Sequence, residues 1–126
     1  MKTIFYKESI TGKALFNPTD VIKPIDNFPE VCVSTFSKQI IDKFAAFDHV
    51  EVIASLLTAN GENPVYNIKY GGKEIAFYLS LVGAPACVSC FEEVIAMGAK
   101  KFVFFGSCGV LDDNLVRDNL IVPTAA

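Results

Sequence analysis

The residues with the most chemistry to offer stand together late in the chain, at Gly106-Ser107-Cys108-Gly109. Ser107 brings a hydroxyl that both donates and accepts, and Cys108 brings a thiol. Glycines on either side let the backbone turn sharply and approach a ligand closely. Successive N–H groups in such a turn can converge on an anion. A second group is Cys87-Val88-Ser89-Cys90, the C-x-x-C spacing of a redox pair. The same spacing also suits two small residues buried on a packed helix. That reading is preferred, because no second pair or thioredoxin-like context accompanies the motif. Cys32 and Cys108 are the other two of four cysteines, and with no signal peptide all four read as free thiols. His49 is the only histidine and lies far from the cysteines, so no metal site is expected. Glu92 and Glu93 are adjacent on a predicted helix and cannot face one substrate together. Asp112, Asp113 and Asp118 read as a solvated loop and strand entry. Phe44, Phe47, Phe91, Phe102 and Phe104 read as core rather than as platforms for a base.

The elements that must position these groups follow from periodicity. Lys101–Phe105 is a run of β-branched and aromatic residues that predicts a buried strand. The polar turn therefore sits at a strand's carboxyl end, where open α/β sheets place their ligands. Upstream, Gly83-Ala84-Pro85 predicts a helix start and Gly98 its stop, with the helix running to Met97. The strand before it is Glu74–Val82, so strand, helix and strand form a βαβ unit with parallel strands. Gly71-Gly72 predicts a tight hairpin to Val65–Tyr70, and Asn60–Pro64 predicts a turn after a strand over Val50–Thr58. Val31–Phe36 predicts a strand. Ser37 reads as the N-cap of a helix over Lys38–Phe47, whose apolar face is Ile40, Ile41, Phe44 and Phe47. Residues 1–30 read as turns around Pro18, Pro24 and Pro29. Leu120–Val122 predicts a last buried strand.

Length and composition set the frame. The chain has 126 residues, enough for one domain with a core, and is 52% hydrophobic with 11 Phe and no Trp. That apolar excess predicts a covered surface, met either by a partner subunit, as in a homo-oligomer, or by a missing part of the same fold. The net charge of −3 and the lack of a basic block argue against nucleic acid as a partner. No apolar run reaches the roughly 18 residues of a membrane helix, and the N-terminus carries no signal-peptide core. The expected compartment is the cytoplasm. The sequence stops just past a predicted core strand with no closing helix, which reads as an incomplete, apparently truncated domain.

Four segments taken together carry a family pattern: Gly83-Ala84-Pro85, Glu92–Lys101, Gly106-Ser107-Cys108-Gly109, and Arg117–Ala126, which ends in Val-Pro-Thr-Ala-Ala. In this order and spacing they resemble the nucleoside phosphorylase superfamily, which includes purine nucleoside phosphorylases, uridine phosphorylases and related nucleosidases. Gly-Ser-Cys-Gly looks most like the hexameric purine enzymes, and the Val-Pro-Thr-Ala-Ala ending more like uridine phosphorylases. The resemblance implies an α/β fold, an α/β/α sandwich around a mixed central sheet. It implies cleavage of a nucleoside N-glycosidic bond with phosphate as co-substrate and no other cofactor. By the family pattern Gly106 and Ser107 would bind phosphate, and Cys108 and Gly109 would line the nucleoside. Two family arginines are replaced here: Phe16-Asn17-Pro18-Thr19-Asp20 places Asp20 at one, and Phe104 stands at the other. The family's base-protonating acid belongs to a C-terminal half that this sequence does not contain, so no catalytic acid is named and the chain by itself is expected to be inactive. A hydrolytic nucleosidase, which needs no phosphate arginines, and a non-catalytic binding or oligomerisation module are the alternatives.

Overall fold

The computed structural model describes residues 14–109, 111–112 and 120–123. After a single helical turn, α1 (Pro18–Val21), the order is β1 (Val31–Thr35), α2 (Lys38–Ala45), β2 (Glu51–Thr58), β3 (Gly61–Tyr70), β4 (Lys73–Leu79), α3 (Ala84–Met97) and β5 (Lys101–Phe105). The strands form one sheet in the order β2-β3-β4-β1-β5. β1 runs parallel to both β4 and β5, while β2–β3 and β3–β4 are antiparallel hairpins. The sheet is therefore mixed, as expected. The βαβ unit is present, and β1 lies between its two strands.

Alternation along β1 assigns the two faces of the sheet. Cys32 joins the buried cluster of Leu56, Val65, Tyr78, Cys90 and Val94, which places α3 on that face. Val33 and Thr35 point the other way, towards Ile40, Ile41 and Phe44 of α2. The layering is α/β/α. Both helices are placed by local signals. α3 begins after Gly83 with a proline in its first turn, and it ends on Gly98 at φ +137°, a backbone that side-chain-bearing residues avoid. At Gly98 a Cβ would also stand 3.1 Å from Cβ of Phe28. The β3–β4 hairpin turns on Gly71 and Gly72, both at positive φ, with Tyr70 paired to Lys73. That is the two-residue loop that matches the twist of antiparallel strands.

Several boundaries differ from the sequence reading. The predicted turn over Asn60–Pro64 is shorter, because Thr58 pairs with Gly61 and the loop is Ala59-Asn60 alone. The Thr58 hydroxyl fixes it, donating to the Gly61 carbonyl at 2.8 Å and accepting from the Asn60 N–H at 3.1 Å. Pro64 falls inside β3 opposite Ser55, and the β4 ladder starts only at Val65. It thus occupies a stretch paired on one side, where proline is tolerated. Ser37 begins α2 without a side-chain cap bond, and the Thr35 hydroxyl instead accepts the Ser37 N–H at 3.3 Å. α2 ends at Ala45, since the Phe47 N–H bonds the Phe44 carbonyl in a tighter three-residue turn. β4 stops at Leu79, where its partner β1 also stops. Leu120–Val122 is irregular and exposed rather than a strand. β5 is the last strand in the sheet order, and no ladder among the described residues takes these three residues in. Asp113 and Asp118 lie outside the described residues.

Candidate active site at the carboxyl edge of the sheet

Three parallel strands end at one level. Thr35 of β1 aligns with Leu79 of β4 and with Phe105 of β5. The residues that follow, Phe36, Ser80 and Gly106, therefore share one edge, and the N-terminus of α3 arrives there through Gly83. Buried hydroxyls tie this edge together. The Ser34 hydroxyl bonds the Ser80 hydroxyl at 2.6 Å and donates to the Tyr78 carbonyl at 3.0 Å. The Ser80 N–H reaches the Thr35 carbonyl at 2.9 Å, and its hydroxyl lies 3.9 Å from the Cys87 sulfur. On the β3 side, Asn63 donates to the Leu79 carbonyl at 2.8 Å. The ends of β1, β3 and β4 are thus held by side chains as well as by the sheet ladder, which gives the rim above them a stiff base.

Gly106, Ser107, Cys108 and Gly109 lie together on this rim and are all exposed. Neither glycine adopts a left-handed backbone. Gly106 is needed for a different reason: a Cβ there would stand 3.1 Å from Cδ2 of Phe36, whose ring lies against the turn. At Gly109 a Cβ would meet nothing within 4 Å among the described residues. Cys108 is an exposed free thiol. The turn exposes one hydroxyl, at Ser107, and one thiol, at Cys108.

The two positions where the family pattern has cations are filled by other interactions. Phe104 packs its ring edge-on against Phe91 of α3 at 5.4 Å, in a cluster completed by the 4.5 Å contact between Phe91 and Phe102. It thus belongs to the α3 packing below the rim. The Asp20 carboxylate accepts the Asn17 N–H at 2.6 Å and closes the turn of α1. The C-x-x-C pair divides in the same way. Cys90 is buried, and burial raises its thiol above the ordinary range, with Glu93 and Cys87 adding to the effect. Cys32 is fully buried, and desolvation pushes it up to about 12. Burial thus disfavours the thiolate at both positions, while Cys87, the first cysteine of the C-x-x-C, is only half-buried.

One feature of this edge was not read from the sequence. On the α2 face an apolar cavity of about 390 Å³ runs between α2 and the sheet and ends at Phe105, next to Gly106. Val33, Ile41, Phe44, Ile68 and Phe77 line it. Its signal was present in the sequence, in the odd-numbered apolar residues of β1 and β4 facing the apolar stripe of α2.

Comparison with known proteins places this arrangement. The family model of the phosphorylase superfamily matches residues 30–126. The chain belongs to that superfamily. Among curated relatives, a guanosine phosphorylase of Halorubrum lacusprofundi is 26% identical over 73 residues, covering 58% of this chain and 30% of its own. A DeoD-type purine nucleoside phosphorylase of Shewanella oneidensis is 39% identical over 59 residues, 46% of this chain and 25% of its own. A purine nucleoside phosphorylase of Plasmodium falciparum is 34% identical over 61 residues, 48% and 25%. The crystal structure of uridine phosphorylase from Vibrio fischeri superposes with a TM-score of 0.60 at 23% identity. That match covers 75% of this chain and 38% of the uridine phosphorylase, and it shows the shared α/β fold. The chain spans between a quarter and a third of the length of these curated relatives. Among the described residues, no helix is long and apolar enough to cross a membrane.

Proposed function

We propose that Gly106-Ser107-Cys108-Gly109 is the ligand edge of a nucleoside phosphorylase-like protein, one that cleaves the N-glycosidic bond with phosphate in the complete domain. The observation that carries the reading is the position of the turn. It lies on the rim shared by β1, β4 and β5, next to the start of α3, in a superfamily member. The chemistry suits that position. Glycosidic cleavage passes through an oxocarbenium-like state, and an anion held below the sugar stabilises the developing charge. Ser107 and the Gly106 backbone hold that anion, while Cys108 and Gly109 line the nucleoside. No cofactor besides phosphate is implied. The exposed apolar residues of the α2 face favour a homo-oligomer, and the protein's compartment in this reading is the cytoplasm.

One observation favours a second reading, a hydrolytic nucleosidase. Phe104 and Asp20 supply no cation to the anion, and each charged hydrogen bond lost costs about 1.5–3 kcal/mol of anion binding. Isothermal titration of inosine and uridine, with and without inorganic phosphate, separates the two readings. Nucleoside affinity that rises with phosphate supports phosphorolysis. Affinity that phosphate leaves unchanged supports hydrolysis and overturns the first reading. Absence of saturable binding of either nucleoside overturns both.

A further inference from the structure

An asparagine can react with its own backbone when the next residue's nitrogen is uncrowded and its side chain is free to turn. The asparagines of this chain differ in both respects. Asn17 and Asn63 precede Pro18 and Pro64, whose nitrogens carry no hydrogen and cannot attack. Asn67 is buried and precedes the β-branched Ile68. Asn27 is exposed, but the Phe28 N–H is held by the Ile25 carbonyl at 3.1 Å. Asn114 and Asn119 precede leucines. Asn60 alone precedes a glycine.

The fold presents that pair openly. Asn60 is exposed at the tip of the β2–β3 hairpin, in the two-residue loop Ala59-Asn60. Its N–H is held by the Thr58 hydroxyl at 3.1 Å, while its side-chain amide bonds nothing among the described residues. The main chain is thus anchored ahead of Asn60, and the side chain is free to rotate. Gly61 has φ +105°, and a Cβ built there meets nothing within 4 Å. No side chain, its own or a neighbour's, crowds Gly61 on that side. The tip stands at the same end of the sheet as the carboxyl edge, because Asn63, a few residues on, bonds the Leu79 carbonyl at 2.8 Å.

We propose that Asn60 is a site of spontaneous deamidation that rewrites this hairpin tip, independent of the function read at the carboxyl edge. The Gly61 nitrogen attacks Cγ of Asn60, so that an N–Cγ bond forms and the Cγ–Nδ2 bond breaks. The Gly61 N–H proton leaves with the amide nitrogen as ammonia, and a five-membered succinimide remains. One water then opens the ring. Cleavage of the new N–Cγ bond gives aspartate. Cleavage at the original peptide carbonyl gives isoaspartate, whose main chain runs through Cβ and is one atom longer. Either product adds a negative charge beside Glu62. The longer chain disrupts the closing pair of Thr58 and Gly61, on which so short a loop depends.

The test is incubation of the folded chain at mildly alkaline pH, with fragment-ion mass mapping to localise the change. Asn60 should exchange the mass of an amino group for that of a hydroxyl before Asn27 or Asn67 does. Two products of equal mass are expected, one co-eluting with the matching peptide of Asn60→Asp. Asn60→Gln keeps the amide but requires a six-membered ring, and should block conversion at this position. In ¹⁵N NMR of the aged chain, the Thr58 and Gly61 signals should split while those of Cys32 and Val94 stay single. The proposal is overturned if Asn60 stays unmodified in the folded chain while it converts in urea, or if Asn27 converts first. Conversion undiminished in Asn60→Gln, or an aspartate product with no second species, overturns it equally.

Discussion

The two faces of the sheet are built from similar residues and finished differently. On the α3 face, Leu56, Val65, Tyr78 and Val94 are all 0% exposed. On the α2 face, Phe44 remains 42% exposed and Tyr70 76%, and between helix and sheet lies the 390 Å³ cavity. Length is part of the cause: α3 has 14 residues and α2 has 8. The longer helix covers β1 and β4 and reaches Phe28 and the Ile25 loop, where the Ile25 N–H bonds the Met97 carbonyl at 2.9 Å. The difference teaches where stability and function separate. The closed face holds the fold, and the open face leaves apolar surface beside the rim proposed as the ligand edge.

The sharpest way to break the comparison is a pair of truncations. Leu56→Ala on the closed face should cost about 2–5 kcal/mol, the range for a buried leucine that leaves a cavity. Phe44→Ala on the open face should cost about 1 kcal/mol, because much of its ring already meets solvent. Urea unfolding with unchanged m-values checks both. Equal costs would show that the α2 face is as closed as the other.

Thiol labelling sharpens the same contrast. Cys108 on the rim should react with a thiol reagent in the native state, while Cys32 and Cys90 should react only on unfolding. Their burial both blocks access and holds the thiolate off. Native reactivity at Cys90 matching that of Cys108 would show that Cys90 is not closed off by the α3 packing.

Gly106→Ala is expected to cost about 1 kcal/mol, the low end of overpacking, because the Phe36 ring it meets is partly exposed and can move. Thermal unfolding of this variant beside Gly109→Ala, which meets nothing within 4 Å among the described residues, measures the difference.

The smallest effects are electrostatic. The Lys100 ammonium, 2.6 Å from Glu30, holds that carboxyl below the usual carboxylate range. Its contribution is complete above the unfolded value and is lost as pH falls through the lower folded value. Burial raises Glu93, which has the opposite sign: its ionised form weakens the fold as pH rises past the unfolded value. Melting temperatures from neutral to acid pH should fall more steeply for wild type than for Lys100→Met. Parallel curves would show that the exposed pair contributes nothing.

What was legible in the sequence was local. Gly83, Pro85 and Gly98 bound α3 through backbone conformation and a missing N–H, and Gly71-Gly72 set a hairpin through positive φ. The strand before Gly106 was legible as a strand, because its apolar run and the polar turn lie side by side in the chain, but not as a buried one: β5 ends the sheet order, and Val103, Phe104 and Phe105 are 54%, 39% and 41% exposed. What was hidden depends on partners remote in sequence. Pro64 enters a strand only because the β4 ladder begins one residue later. Leu120–Val122 has strand composition but no ladder. The rims of β1, β4 and β5 align through a register that no single segment encodes. Phe104 shows both sides: its identity marked a missing cation, and only the fold shows its ring committed to Phe91.

The most direct test of the central claim is an NMR shift map of the labelled chain on addition of inosine. The largest shifts are predicted at Gly106–Gly109 and at Ser80–Gly83, with Ser107→Ala weakening the binding. Shifts confined to Ile41, Phe44 and Phe77, or no saturable shifts, would contradict the assignment of the rim as the ligand site.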